Sequence, residues 1–196
     1  VEAFGSPPDI IYLFLRLAGL YGLTFLFIQL ILGSFMQNFL KLFGPSALRW
    51  HIRQGILTYG LVLSHPTLYT IYSAQTLNIF SPLRTLWPNF SVLNEYYISF
   101  GRIGLFLLTI GVFFGIFRSH PMLFRNWRKL HILNYVAFAF VLFHSWNVGS
   151  DTHNPPFVYL YPLFVAGFAT AIFYRRVYKV VKEYKRAKKK AALTIR

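Results

Sequence analysis

Four histidines occupy two matched pairs of positions in an otherwise apolar sequence. His51 and His65 are 14 residues apart, and His131 and His144 are 13 residues apart. At a helical rise of 1.5 Å per residue, these spacings separate the two members of each pair by about 21 and about 20 Å. Two helices that run in the same direction would therefore present the four imidazoles as two facing pairs at two depths.

The chemistry of such pairs favours porphyrin iron over a bare metal ion. A low-spin haem takes one axial imidazole on each side of its plane, whereas zinc and non-haem iron need several ligands that converge on one ion. No Asp, Glu or Cys lies within five residues of these histidines. We predict two b-type haems, one held by His51 and His131 and the other by His65 and His144. The alternatives are a single-haem site and histidines that only make hydrogen bonds between helices.

The composition predicts that these helices lie in a bilayer. Hydrophobic residues make up 56% of the 196 residues and charged residues only 13%, against about 25% charged residues in an ordinary soluble domain. The sequence contains no cysteine. Disulfides, cysteine-ligated iron–sulfur clusters and thioether-attached haem are therefore excluded.

Five apolar segments have the length of about 20 residues that a helix needs to span a hydrocarbon core of about 30 Å. They are residues 10–35, 50–72, 96–117, 129–148 and 157–178. The predicted fold is an all-α integral membrane bundle of five transmembrane helices, with two b haems stacked between the second and the fourth. We assign residues 1–9 to an external N-terminal segment, 10–178 to the haem-binding domain and 179–196 to a basic cytoplasmic tail.

The distribution of charge predicts the orientation of this bundle. Of the 20 Lys and Arg residues, 17 fall on the side of the C-terminal tail and three, Arg16, Arg84 and Arg102, on the opposite side. The positive-inside rule then places the N-terminus outside and the C-terminus in the cytoplasm, in an inner or plasma membrane. A net charge of +15 often indicates nucleic acid. Here half of the basic residues follow an apolar segment directly, so we predict anionic lipid and no nucleic acid as the partner of the tail.

The 13-residue step between His131 and His144 does not suit a straight helix. At 100° per residue, 14 residues return to within about 40° of the same face, whereas 13 residues end about 140° away. The fourth helix must either present its histidines from two flanks or be tightened locally. We predict ligation from two flanks.

Two arginines are candidates for binding the propionates of the outer haem. Arg16 lies just inside the first predicted span and Arg102 near the outer end of the third. Guanidinium stays charged and binds carboxylates through two donors. The alternative for Arg16 is that its side chain extends to the outer lipid headgroups.

The two spacings, H-x13-H at His51 and His65 and H-x12-H at His131 and His144, resemble those of the ferric reductase-like transmembrane domain. NADPH oxidases, eukaryotic ferric reductases and the haem-binding membrane subunit of the periplasmic methionine sulfoxide reductase system share this domain. The resemblance covers about residues 10–180. It implies that the four histidines ligate an inner and an outer b haem that pass electrons outward. Family members typically have six helices with histidines on the third and fifth, whereas we predict five with histidines on the second and fourth.

The electron donor is not evident in this sequence. NADPH oxidases and ferric reductases carry a flavin and nicotinamide module after the last helix, whereas only a short basic stretch follows residue 178 here, and no G-x-G-x-x-G loop occurs. We therefore predict no flavin or nicotinamide site in this chain, and a separate flavoprotein reductase or a quinol as donor. The external acceptor would be a redox protein, oxygen or ferric iron. Alternatives are a cytochrome b anchor of a quinone-linked dehydrogenase, the truncated transmembrane part of an NADPH oxidase, and a non-redox transporter or scaffold.

Overall fold

The computed structural model describes residues 7–77, 85–123 and 125–194, and the regular elements in these ranges are all helices. The all-α prediction is confirmed. Arg84 and residues 1–6 lie outside the described residues. The helices are α1 Pro7–Ser34, α2 Met36–Phe43, α3 Ser46–Leu77, α4 Leu93–Ile116, α5 Trp127–His131, α6 Leu133–Val148 and α7 Phe157–Thr194, with a 3₁₀ turn at Ser150–His153.

Three of the five predicted spans form helices that are long and apolar enough to cross a membrane. These are Ile10–Ser34, Leu93–Ile116 and Phe157–Lys185, in α1, α4 and α7. Helix α3 has 32 residues and is long enough, but polar residues along its length, such as Ser64, His65 and Thr67, make it less apolar. Helix α6 has only 16 residues. The two predicted spans that are too polar or too short are the two that were predicted to contain the four histidines.

The bundle is built from two antiparallel helix pairs. Helix α1 packs along α3, α4 packs along α6, and α7 lies against α1. The backbones of α3 and α6 hardly approach each other, so these two helices meet through side chains. The buried hydrophobic core is formed by residues of α1, α4, α6 and α7. These residues are Leu23, Leu26, Leu30, Leu108, Ala137, Phe138, Leu142, Tyr161, Phe164 and Ala171.

A short helix, α2, connects α1 to α3 and was not predicted. It has no buried residue, and the chain turns after it at Gly44. The φ angle of Gly44 is 59°, in the left-handed region that glycine adopts without steric cost because it lacks a Cβ atom. Helix α3 then begins after Pro45. The connection reverses the chain direction, so α3 packs antiparallel to α1.

The predicted fourth helix is interrupted directly after its first histidine. Helix α5 ends at His131, and α6 begins at Leu133. The backbone N–H of Tyr135 donates to the carbonyl oxygen of Ile132 at 3.0 Å, which is the i to i+3 pattern of a tightened turn. The expectation of a straight helix that ligates from two flanks is therefore wrong. Local tightening, the alternative that we did not favour, is what the backbone adopts.

Helix α7 does not end at the predicted boundary of residue 178. It continues to Thr194, so that residues 179–194 belong to the same helix as the apolar segment. Its 38 residues span about 57 Å at 1.5 Å per residue. Since a hydrocarbon core is about 30 Å thick, the basic C-terminal part of α7 extends well beyond it.

Candidate haem-binding site

The structure brings the four histidines together as two pairs. The ring centroids of His51 and His131 lie 6.3 Å apart, with an angle of 79° between the ring planes. Those of His65 and His144 lie 6.4 Å apart, with an angle of 75°. One member of each pair comes from α3, and the other comes from the end of α5 or from α6. These are the two combinations expected from the sequence.

The distance within each pair fits a metal ion between two imidazoles. A metal–imidazole bond is about 2 Å long and the nitrogen lies about 1.1 Å from the ring centroid, so two rings on opposite sides of one ion have centroids about 6.3 Å apart. The two observed separations agree with this value. In the described parts of the chain, no group of three or more His, Cys, Asp or Glu is placed to hold a metal ion. The donor set of each pair thus suits a metal whose remaining ligands come from a cofactor.

Three of the four imidazoles are fixed by a backbone carbonyl of the neighbouring helix. In each case Nδ1 lies within 2.9–3.1 Å of the oxygen. When Nδ1–H donates in this way, the tautomer is set and Nε2 is left to bind a metal. The acceptors are Leu15 O of α1 for His65, Tyr97 O of α4 for His144, and Gly111 O of α4 for His131.

Each imidazole also lies against a glycine on the neighbouring helix. Helix α1 provides Gly19 for His65 and Gly33 for His51, and α4 provides Gly101 for His144 and Gly115 for His131. A Cβ atom added at these four glycines would come within 2.8–3.3 Å of a ring atom. A larger residue would therefore displace the ring, and only glycine lets the supporting helix approach so closely.

The supporting glycines follow a regular pattern that the sequence analysis missed. Gly19 and Gly33 are 14 residues apart, and so are Gly101 and Gly115. This is also the spacing between the two histidines of α3. Each glycine lies four residues after the position of the carbonyl acceptor, one helical turn further along. The repeated 14-residue spacing was visible in the sequence and is the signal that would have identified these positions.

His51 departs from this pattern. Its Nδ1 is buried and has no hydrogen-bond partner among the residues that the structure describes. Its Nε2 lies 3.3 Å from Nε2 of Gln29, which also donates to the carbonyl oxygen of His51 at 2.9 Å. Gln29 is four residues before Gly33, the position from which a backbone carbonyl acts in the other three cases. Here a side-chain amide contacts the imidazole instead.

The sequence profile of the family described as ferric reductase like transmembrane component matches residues 18–142, which is 125 of the 196 residues. The chain belongs to this family. Searches among curated proteins and among solved structures gave no significant match.

Membership of the ferric reductase-like family implies a multi-pass membrane protein for transmembrane electron transfer, with haem as the typical cofactor. His51, His65 and His131 lie inside the matched region, and His144 lies two residues beyond its end. The donor chemistry and spacing of both pairs fit this cofactor. His51 and His131 would hold one haem, and His65 and His144 the other.

In this ferric reductase-like chain, both predicted propionate-binding arginines are paired with protein carboxylates. Arg16 Nε donates to Asp151 Oδ2 at 2.7 Å, and its Nη2 also contacts Asp151 Oδ1. Arg102 is buried and donates to Glu95 Oε2 at 2.7 Å and to the carbonyl oxygen of Thr85 at 2.8 Å. The propionate role of both arginines stays a prediction.

Asp151 was not singled out in the sequence, because it lies in a loop far along the chain from Arg16. The hydrogen bond from the Arg16 guanidinium holds the pKa of the Asp151 carboxyl below its ordinary value. The pair connects the start of α1 to the loop that follows α6. The start of α1 and the end of α6 therefore lie at the same end of the bundle.

The aromatic residues between the histidine pairs do not play equivalent parts. Phe138, midway between His131 and His144 in sequence, is fully buried and packs against Phe27 of α1 and Phe168 of α7. It belongs to the core. Tyr59, midway along α3, donates from its hydroxyl to Thr109 Oγ1 of α4 at 3.0 Å. Tyr59 thereby links the two helix pairs at the level between the histidine pairs.

Proposed function

We propose that this chain is a transmembrane di-haem b-type cytochrome that moves single electrons from a cytoplasmic donor to an external acceptor. The observation that carries the proposal is the centroid separation of 6.3 and 6.4 Å within two histidine pairs. The 14-residue step from His51 to His65 places the two pairs about 21 Å apart along α3. Haem, when bound, supplies reversible one-electron exchange at each pair.

The part of the chain in this function is to hold four imidazoles in fixed orientations. The carbonyl acceptors of α1 and α4 set the tautomer of three rings and raise their basicity as ligands. The glycines allow both supporting helices to press against the rings. This arrangement holds the donor atoms rigidly, which keeps the cofactors at a constant separation and orientation.

The contacts at the two ends of the bundle support the proposed orientation. At one end, Tyr174 of α7 donates to Asn38 of α2 at 3.2 Å, and Arg175 lies over the ring of Tyr135 at 4.9 Å. The basic part of α7, Lys41 and the basic residues around α5 are therefore at one end. The opposite end has Arg16 and Arg102, each paired with a carboxylate. By the positive-inside rule, the first end is cytoplasmic.

This orientation requires that α3 and the α5–α6 segment also cross the membrane. Trp127–Val148 spans 22 residues, about 33 Å if it is helical throughout, and α3 is longer still. Five crossings put the histidine pair of His51 on the cytoplasmic side and that of His65 on the external side. The donor would be a separate flavoprotein reductase or a quinol, and our preferred acceptor is an external redox protein, ahead of oxygen and ferric iron. The basic part of α7 would bind anionic lipid.

The test is a spectrum of the purified protein, reduced with dithionite, minus that of the oxidised protein, with haem quantified per chain. We expect a b-type α band and about two haems per chain. His65→Leu or His144→Leu should lower the ratio to about one, and His51→Leu with His65→Leu should abolish binding. His120→Leu is the matched control, because His120 is exposed in a turn and should keep the wild-type ratio. A wild-type protein without an α band would refute the proposal.

A further inference from the structure

The two histidine pairs differ in the side chains that reach them. At the His51–His131 pair, Gln29 Nε2 lies 3.3 Å from His51 Nε2, and Asn134 Nδ2 lies 3.3 Å from His131 Nδ1. At the His65–His144 pair the only hydrogen-bond partners, within the described ranges, are backbone carbonyls. One pair is therefore flanked by two amides and the other by none.

Both amides have the same orientation. The NH₂ group faces the imidazole, and the carbonyl oxygen, Gln29 Oε1 or Asn134 Oδ1, is buried without a hydrogen-bond partner in the described part of the chain. An unpaired buried amide oxygen is costly, and such a group in a folded protein often has a functional reason. The two amides therefore hold a costly arrangement, in which a polar amide end lies close to each of two imidazoles.

Two glycines make room for this arrangement. A Cβ atom at Gly55 of α3 would come within 2.6 Å of Gln29 Nε2, and one at Gly111 of α4 would come within 1.8 Å of Asn134 Oδ1. Gln29 is fixed further by its hydrogen bond to the carbonyl oxygen of His51. The packing thus confines both amides beside the imidazoles.

We infer that Gln29 and Asn134 are positioning residues, which orient the imidazoles of His51 and His131 and set the reduction potential of the haem bound there. The inference rests on the proposed function. Hydrogen-bonding and dipolar groups around an axial ligand are one means by which a protein tunes a haem. An amide dipole beside the ligand changes the relative energies of the oxidised and the reduced iron, which differ by one electron, by simple electrostatics in a medium of low dielectric constant.

The test is an optical redox titration of the full chain with its haem, comparing Gln29→Leu, Asn134→Leu and Gln54→Leu with wild type. Gln54 is the matched control. Like Gln29, it is a glutamine with a buried Oε1 that has no partner among the described residues, but it lies in α3 and its Nε2 donates to Phe25 O and Thr58 Oγ1 and not to an imidazole. In Gln29→Leu and Asn134→Leu, one of the two haems should shift its midpoint potential. At fixed ambient potential its ratio of reduced to oxidised form should change about tenfold, which is about 59 mV for one electron. The other haem, and both haems of Gln54→Leu, should be unchanged.

Unchanged midpoints in both amide variants, with two haems bound, would overturn the inference while leaving the proposed function intact. An equal shift in Gln54→Leu would overturn it too, since any buried amide would then have the same effect. Should Gln29→Leu bind too little haem to titrate, Asn134→Leu decides, because the side chain of Asn134 makes no hydrogen bond to the backbone. A wild-type protein that binds no haem would instead refute the proposed function itself.

Discussion

The helix pairs α1/α3 and α4/α6 do the same task with different backbones. In both, an antiparallel helix, α1 or α4, supplies a glycine one turn beyond each contact position. The histidines that it supports lie on α3 in the first pair, and at the end of α5 and on α6 in the second. Helix α3 is continuous from Ser46 to Leu77, whereas its counterpart is interrupted after His131. A 14-residue step brings the second histidine of a regular helix nearly back to the first face, and a 13-residue step does not. The interruption after His131 thus accompanies the step that is one residue shorter than the step in α3.

The supporting helices also differ in how they hold the imidazoles. Helix α4 presents a backbone carbonyl to each of the two histidines that it contacts, His131 and His144. Helix α1 presents a carbonyl to His65 but the Gln29 side chain to His51. A carbonyl in a helix cannot be removed by mutation, whereas a glutamine can. The glycines, which occur at all four contacts, are therefore the positions at which the two helix pairs can be compared directly by substitution.

The largest effect is expected at Gly101 of α4. A Cβ atom there would lie 2.8 Å from the His144 ring, and the ring cannot retreat without losing its hydrogen bond to Tyr97. Gly101→Ala should lower the haem content from about two to about one per chain and destabilise the fold by about 1–3 kcal/mol through overpacking. Haem per chain and the thermal unfolding midpoint measure this.

The matched control for Gly101→Ala is Gly60→Ala in α3. Nothing lies within 4 Å of a Cβ atom at Gly60, so alanine should stabilise the helix by about 0.5–1 kcal/mol without changing the haem content. If Gly101→Ala kept both haems and its stability, the close approach of α4 to His144 would not be needed for binding.

An intermediate and graded effect is expected along α1. A Cβ atom at Gly19 would lie 3.0 Å from the His65 ring, and one at Gly33 would lie 3.3 Å from the His51 ring. Gly19→Ala should therefore reduce haem content more than Gly33→Ala does. In Gly33→Ala the His51 ring needs to shift by only a few tenths of an ångström to make room for the added methyl group. Equal losses in both variants, measured as haem per chain, would mean that the supporting helix rather than the individual contact is disturbed.

The sequence was sufficient to predict the features that depend on spacing within one helix. The all-helical fold and the pairing of His51 with His131 and of His65 with His144 follow from helical rise and hydropathy, which act over a few turns. The supporting glycines depend on which helices pack together, so they became evident only in the structure, although their 14-residue spacing was visible. The 13-residue step indicated an irregular helix, but not whether its backbone would break.

Two other features could not be predicted from the periodicity of the sequence. Helix α3 was predicted as an apolar span, yet polar residues along its length, such as Ser64, His65 and Thr67, make it less apolar than α1, α4 and α7. Arg16 was predicted to bind a cofactor carboxylate because it lies just inside the outer end of the first predicted span. Its partner, Asp151, is 135 residues away along the chain, and such a pairing depends on the packing of the whole bundle.

The smallest effect is expected where the two helix pairs are joined at the end of the bundle, by Arg16 of α1 and Asp151 after α6. Because the pKa of Asp151 is lowered in the folded state from an ordinary value of 3.8, its contribution to stability is complete above that value and is lost as the pH falls through the lower, folded value. The Arg16 side chain is 42% exposed, so solvent screening limits the contribution to about 0–1 kcal/mol. Asp151→Asn should lower the unfolding midpoint slightly at about pH 6, and this difference should shrink as the pH is lowered below 3.8 and the wild-type carboxylate becomes protonated. A loss of stability that stays equally large as the pH is lowered would show that Asp151 acts through packing in the loop and not through its charge.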